Sequence, residues 1–292
     1  MLSKAEVTAL VDRPLSFWDM LGVGKKRFQP AQSRVVQPQS RANLAQRHLA
    51  AGIGLIAFLL PLGLLLGQWL AGCEFRSISH YYYSRYLGGY FVGCLFFVAA
   101  GMMGYGGQSQ AEARLTFILG LLAAVVAYVP TVNSGCIGQS EIISQGRVFA
   151  SHVQSLPEFM ASASSLGLRL FPGADQLHLI CAGLLLLGLA FYVGFGFTRI
   201  DWLAALANVD AGKYAISPKK IMRNRIYITL AVFMVLVLVI GGYYELTGTQ
   251  AGWKSTPGLF WVEALALFAF GIAWFIKGRG FGLLDWMGDQ DA

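Results

Sequence analysis

The chain has 292 residues, of which 56% are hydrophobic and 13% charged, about half the charged share of an average soluble domain. A mean hydropathy of +0.57, with 35 glycines, 20 phenylalanines and 7 tryptophans, excludes a disordered chain, a disulfide miniprotein and an ordinary soluble enzyme. The net charge of +7 sits beside apolar stretches, which suits anchoring against an anionic leaflet and argues for membrane lipids, not nucleic acid, as partners.

Residues 1–48 form a polar leader with Pro14, Pro30 and Pro38 and no early apolar core, so the first apolar span is expected to act as an uncleaved anchor. Within the leader, Pro14 to Gly22 reads either as a short amphipathic helix on the inner surface or as plain disorder. A bilayer core of about 30 Å needs about 20 apolar residues. Six such stretches follow: Leu49 to Ala71, Leu87 to Gly107, Leu115 to Val132, Leu177 to Phe197, Ile226 to Tyr244 and Pro257 to Ile276. The expected fold is all-α, a polytopic bundle of six transmembrane helices over residues 49–277, followed by a cytoplasmic tail, 278–292.

Lys and Arg fall unevenly about these spans, with 17 on the side of the leader, the loop before span five and the tail, and 5 on the other (Arg76, Arg85, Arg147, Arg169, Lys254). Basic loops resist translocation, so both termini are expected in the cytoplasm, and a bacterial inner membrane is the expected location. The long loop of about 40 residues from Asn133 to Ala174 then lies outside, where a structureless segment of that length is uncommon. Ile142, Phe149, Val153 and Leu156 recur near helical spacing there, which predicts short surface helices. On the inner side, Trp202, Leu203 and Leu206 mark another amphipathic stretch over Ile200 to Val209. Cys73 and Cys136 would share the outer side and form a candidate disulfide, whereas Cys94 and Cys181 read as packing residues inside spans. Gly63 with Gly67, and Gly89 with Gly93, are GxxxG pairs that predict close helix approach; with the leader, these faces are candidate protein-partner surfaces.

Ionisable residues inside apolar spans are costly and therefore mark candidate sites. Glu263 lies about 9 Å into the last span, and Asp175 and His178 open span four at i, i+3 on one helical face. Ser77, Ser79 and His80 immediately precede span two in SISHYYYSRY. All would lie near the outer leaflet. Each also has a plain structural reading: a hydrogen-bonded helix-end histidine for His80 or His178, a macrodipole partner for Asp175, and a paired or protonated carboxylate for Glu263. The tyrosines 81–83, 86 and 90 suggest an aromatic belt at headgroup level.

Six spans, the Ser77-Ile78-Ser79 tripeptide, His178 at the start of span four and Glu263 in a Trp-rich last span resemble the Frag/DRAM/Sfk-type membrane proteins and their bacterial relatives of unknown function. The resemblance runs from span one to span six and implies a lipid-facing role. Two functions follow as expectations. In one, the polar cluster binds or senses a lipid or small amphiphile. In the other, His80, His178 and Glu263, supported by Asp175 and Ser77, carry lipid hydrolysis or transfer, either as acid/base groups or as ligands of a metal. A b-type haem between His80 and His178 is the weakest reading, because both histidines sit near helix ends. No motif names a cofactor.

Overall fold

The computed structural model describes residues 41–71, 74–84, 87–107, 109–131, 173–199, 217–248, 253 and 256–287. Among them the regular structure is wholly helical, and six helices are long and apolar enough to cross a membrane. They are α1 (Arg41–Ala71), α2 (Leu87–Gly104), α3 (Gln110–Tyr128), α4 (Ala174–Phe191), α5 (Pro218–Thr247) and α6 (Gly258–Lys277). The chain is a multi-pass membrane protein. The leader segment Pro14 to Gly22, the long loop, the stretch Ile200 to Val209 and the pair Cys73 and Cys136 lie outside the described residues.

Hydropathy alone misplaces several helix ends, because a helix begins where its backbone is capped, whether or not the residues there are apolar. α5 starts at Pro218 instead of Ile226: Ser217 accepts from the Lys220 N–H at 3.1 Å, and proline occupies the first turn, where its missing N–H costs nothing. α3 starts at Gln110 because Ser109 accepts from the Glu112 N–H at 3.3 Å, and it stops at Tyr128 ahead of Pro130. α1 is described from Arg41, so residues 41–48 of the expected leader are helical and continuous with the first span. α4 passes into a π-helical turn, Tyr192–Gly196, where Phe197 N–H reaches the Tyr192 carbonyl at 3.2 Å.

Consecutive helices pack as neighbours, and α6 closes the ring against α1. That closure is made backbone to backbone. A Cβ on Gly54 would fall inside the α6 backbone at Phe275, and one on Gly271 would lie 2.8 Å from the Gly54 carbonyl oxygen. Of the two GxxxG pairs, Gly63 and Gly67 do face a neighbour, the Tyr90 ring and Leu87 of α2. Gly89 and Gly93 do not; among the described residues nothing lies within 4 Å of a Cβ built on either, so that pair mediates no approach between these helices.

The tail folds back as far as Met287. Arg279, Gly280, Phe281 and Gly282 all have positive φ, at 55°, 50°, 55° and 99°, which reverses the chain beneath α6. Arg279 and Phe281 carry the steric cost of that conformation without being glycine. Contacts hold them there: Asp285 pairs with Arg47 of α1 and lies 3.9 Å from Arg279, and the Phe281 ring packs on His48 and Phe275.

Candidate functional site

The end of the bundle where α1 runs into α2 gathers the predicted polar residues on a 3-10 turn, Ile78–Tyr83. Ser77 caps this turn by accepting from the Ser79 N–H at 3.2 Å. Its own hydroxyl donates toward the Glu263 carboxylate, 2.9 and 2.8 Å from the two oxygens, and the Ile78 N–H donates to the same group at 2.7 Å. Glu263 therefore points into the bundle and fastens the turn to α6. Its hydrogen-bond partners among the described residues are Ser77 and Ile78, neither of them the arginine or histidine that a buried carboxylate suggests.

The turn also fixes His80, whose N–H bonds the Ser77 carbonyl at 3.2 Å and whose side chain is buried. Burial pushes its pKa down to about 4, and the nearby Arg76 charge and His178 push in the same direction, so the ring is uncharged at neutral pH. His178, in the first turn of α4, is buried as well. Its Nδ1 lies 2.5 Å from the Val129 carbonyl oxygen. A carbonyl only accepts, so Nδ1 carries the proton and Nε2 of the uncharged ring keeps its lone pair. That Nε2 is buried with no partner among the described residues.

Asp175 is half-buried in the first turn of α4, suitably placed for the helix dipole, and makes no hydrogen bond to His80, His178 or Glu263. Among the described residues no group of three His, Cys, Asp or Glu side chains is arranged to hold a metal ion, so His80, His178 and Glu263 do not make a three-ligand site. Two tyrosines of the expected belt are corrected too, while Tyr82 and Tyr90 are half-buried and Tyr86 lies outside the described residues. Tyr81 and Tyr83 are buried; their hydroxyls donate to the Gln68 side chain and the Thr131 carbonyl, and the Tyr81 ring packs at a tilt against Phe75 and Phe260. The 3-10 turn points these rings inward, where each hydroxyl finds a partner.

Sequence reading missed an ion pair here. Arg76 binds Glu245 at the end of α5, and the Trp253 Nε1–H donates to the same carboxylate at 3.1 Å. Arg76 had value only as a topological charge, and Glu245 fell just past the apolar run ending at Tyr244, so no local motif joined them. The Phe260 N–H donates to the Arg76 carbonyl at 2.7 Å, which ties the start of α6 to the same corner.

No protein-family model matches the chain, and no curated protein sequence or solved structure is detectably similar to it.

Proposed function

We propose that this membrane protein binds or senses a lipid or small amphiphile through the two buried imidazoles, His80 and His178, at the Ser77 end of the bundle. The observation that carries the reading is the Nε2 of His178, buried and without a partner among the described residues. A buried acceptor without a donor is costly, so a headgroup bearing a hydroxyl or amine hydrogen completes it. Ser77, Glu263 and the Arg76–Glu245 pair act as positioning residues that hold the 3-10 turn, and hence His80, against α4 and α6. The bias of Lys and Arg toward the other end supports cytoplasmic termini, which puts this site at the outer leaflet of a bacterial inner membrane. The resemblance to Frag/DRAM/Sfk-type proteins rests on three of the same residues, Ser77, His178 and Glu263, and points to the same lipid-facing role.

The enzymatic alternative draws on the hydroxyl–carboxylate contact of Ser77 with Glu263. Ser77 is 3% exposed and its oxygen already accepts from Ser79, which suits a cap better than a nucleophile. The deciding experiment reconstitutes the full chain in nanodiscs of mixed bacterial lipids and identifies retained lipids by native mass spectrometry. Retention of a hydroxyl- or amine-bearing amphiphile by the wild type, and its loss in His178→Phe, supports the proposal. Equal retention by both proteins rejects it, and turnover of a lipid that depends on His178 favours the enzyme.

A further inference from the structure

The turn after α6 forms a surface at the opposite end of the bundle that the histidine site does not use. Asp285 pairs with Arg47 near the start of α1, and Arg223 near the start of α5 donates to the carbonyl of the buried Met287. The Leu283 and Leu284 N–H groups bond the Gly280 and Arg279 carbonyls, both at 3.1 Å. The turn is therefore mounted on α1, α5 and α6, and because α6 packs between the other two, it follows one rim of the ring. What it displays there is apolar. Leu283 is 77% exposed and Trp286 63%, and they stand three residues apart in tight helical turns, a spacing that puts two side chains on one side.

The depth of this turn follows from the other end of the bundle. Trp69, Tyr243 and Trp261 are exposed near the Ser77 corner, and exposed aromatic rings of this kind mark the boundary of the hydrocarbon layer. At a rise of about 1.5 Å per residue, α1 runs about 33 Å from Trp69 to Arg47, α5 about 30 Å from Tyr243 to Arg223, and α6 about 24 Å from Trp261 to Lys277. A hydrocarbon core is about 30 Å thick, so Arg47 and Arg223, which hold the turn, stand at its second boundary. Leu283 and Trp286 are thus presented at the depth of the lipid headgroups.

Charge gives the lipid its class. Arg47, Arg223, Arg225, Lys277 and Arg279 stand at this end, where the carboxylates among the described residues are Asp285, held by Arg47, and Glu112, held by Arg199. We infer that the C-terminal turn is an interfacial anchor, which seats Leu283 and Trp286 in the headgroup layer of a leaflet rich in anionic phospholipid. An indole suits that layer because its ring is apolar and its Nε1–H polar, and Leu283 beside it reaches the acyl boundary. The basic side chains attract phosphates through the surface potential and need no enclosed pocket to do so. The reversal at Arg279–Gly282, with its positive φ angles, is what brings the two apolar residues back to the rim.

The test places the full chain in nanodiscs of mixed phosphatidylcholine and phosphatidylglycerol, whose two faces are both open to solvent, with one lipid at a time carrying brominated acyl chains. Trp286 emission is read as the difference between the wild type and Trp286→Phe. It is expected to be quenched severalfold more by brominated lipid than by aqueous acrylamide. At equal mole fraction, brominated phosphatidylglycerol should quench it about twofold or more beyond brominated phosphatidylcholine, an excess that high salt removes. Quenching by acrylamide alone puts the ring in water, quenching by neither agent buries it against protein, and equal quenching by the two lipids leaves no anionic preference; each of these overturns the anchor. Should Trp286→Phe fail to fold, Leu283→Trp, read as emission gained over the wild type, reports the same depth. His178→Phe leaves the quenching unchanged, which separates this outcome from that of the proposed function.

Discussion

Ser77 and Glu263, 186 residues apart in sequence, meet through one hydroxyl and both carboxylate oxygens at 2.9 and 2.8 Å, with the Ile78 N–H joining at 2.7 Å. Two donors thus depend on one carboxylate. Replacing a carboxyl group by leucine costs little when nothing is left unpaired, but Glu263→Leu strands both the Ser77 hydroxyl and the Ile78 N–H. A loss of about 1 to 3 kcal/mol is expected. Glu263→Gln keeps an acceptor oxygen and should lose less. Reversible unfolding in mixed micelles measures both, and a leucine variant as stable as the wild type would show that the contact does not hold the turn.

His80 gives this corner a pH dependence. Its ring takes a proton near pH 6.5 in the unfolded chain but only at about 4 in the folded one, because burial disfavours the charged form. Between those values the unfolded state binds more protons, so stability falls as pH drops from about 6.5 to about 4 and levels off below. The loss is at most on the order of 3 kcal/mol. His80→Gln should flatten that part of a stability-against-pH curve. A variant curve parallel to that of the wild type would assign the effect to other groups.

The helices were legible where one physical quantity, apolar length, decides the outcome, and all six spans emerge from it. Their ends were not, because the caps at Ser109 and Ser217 lie in polar stretches that a hydropathy scan discards, although Ser-Gln-Ala-Glu and Ser-Pro are local signatures that mark them. In the site, depth was readable from position along each span, so Glu263, His178 and Ser77 fell at one level. Partnership was not readable. Nothing local says that Glu263 takes Ser77 and a backbone N–H, or that Arg76 takes Glu245, since each pairing depends on how the ring of helices closes. Tyr81 and Tyr83 misled for a related reason: a belt and a buried 3-10 turn share the same composition and differ in where the backbone aims each ring.

The orientation rests on the 17 to 5 division of Lys and Arg. A reporter fused after Ala292 should be cytoplasmic and one inserted near Gln145 external, as read by paired phosphatase and fluorescent-protein fusions. Under the same orientation, non-reducing peptide mapping of membranes should recover a Cys73–Cys136 disulfide with Cys94 and Cys181 as thiols. Reversed labelling would move the histidine site to the inner leaflet and remove the oxidising compartment that the disulfide needs.

The glycines give a test of packing in which the controls lie in the same protein. Gly54 of α1 meets the backbone of α6 at Gly271 and Phe275, where a methyl group has no flexible side chain to displace. The two helices would have to separate, so Gly54→Ala is expected to destabilise by about 1 to 3 kcal/mol, as overpacking of a tight interface does. Gly93 carries the same residue type inside a GxxxG pair, but nothing lies within 4 Å of its added Cβ. Alanine there relieves glycine's backbone entropy cost in a helix, so Gly93→Ala should be neutral or stabilising by up to about 1 kcal/mol. Unfolding of the two variants under identical detergent conditions makes the comparison direct. If Gly93→Ala destabilises as much as Gly54→Ala, the Gly89–Gly93 face packs against something beyond the described residues, and chemical cross-linking then separates a segment of the same chain from a second copy.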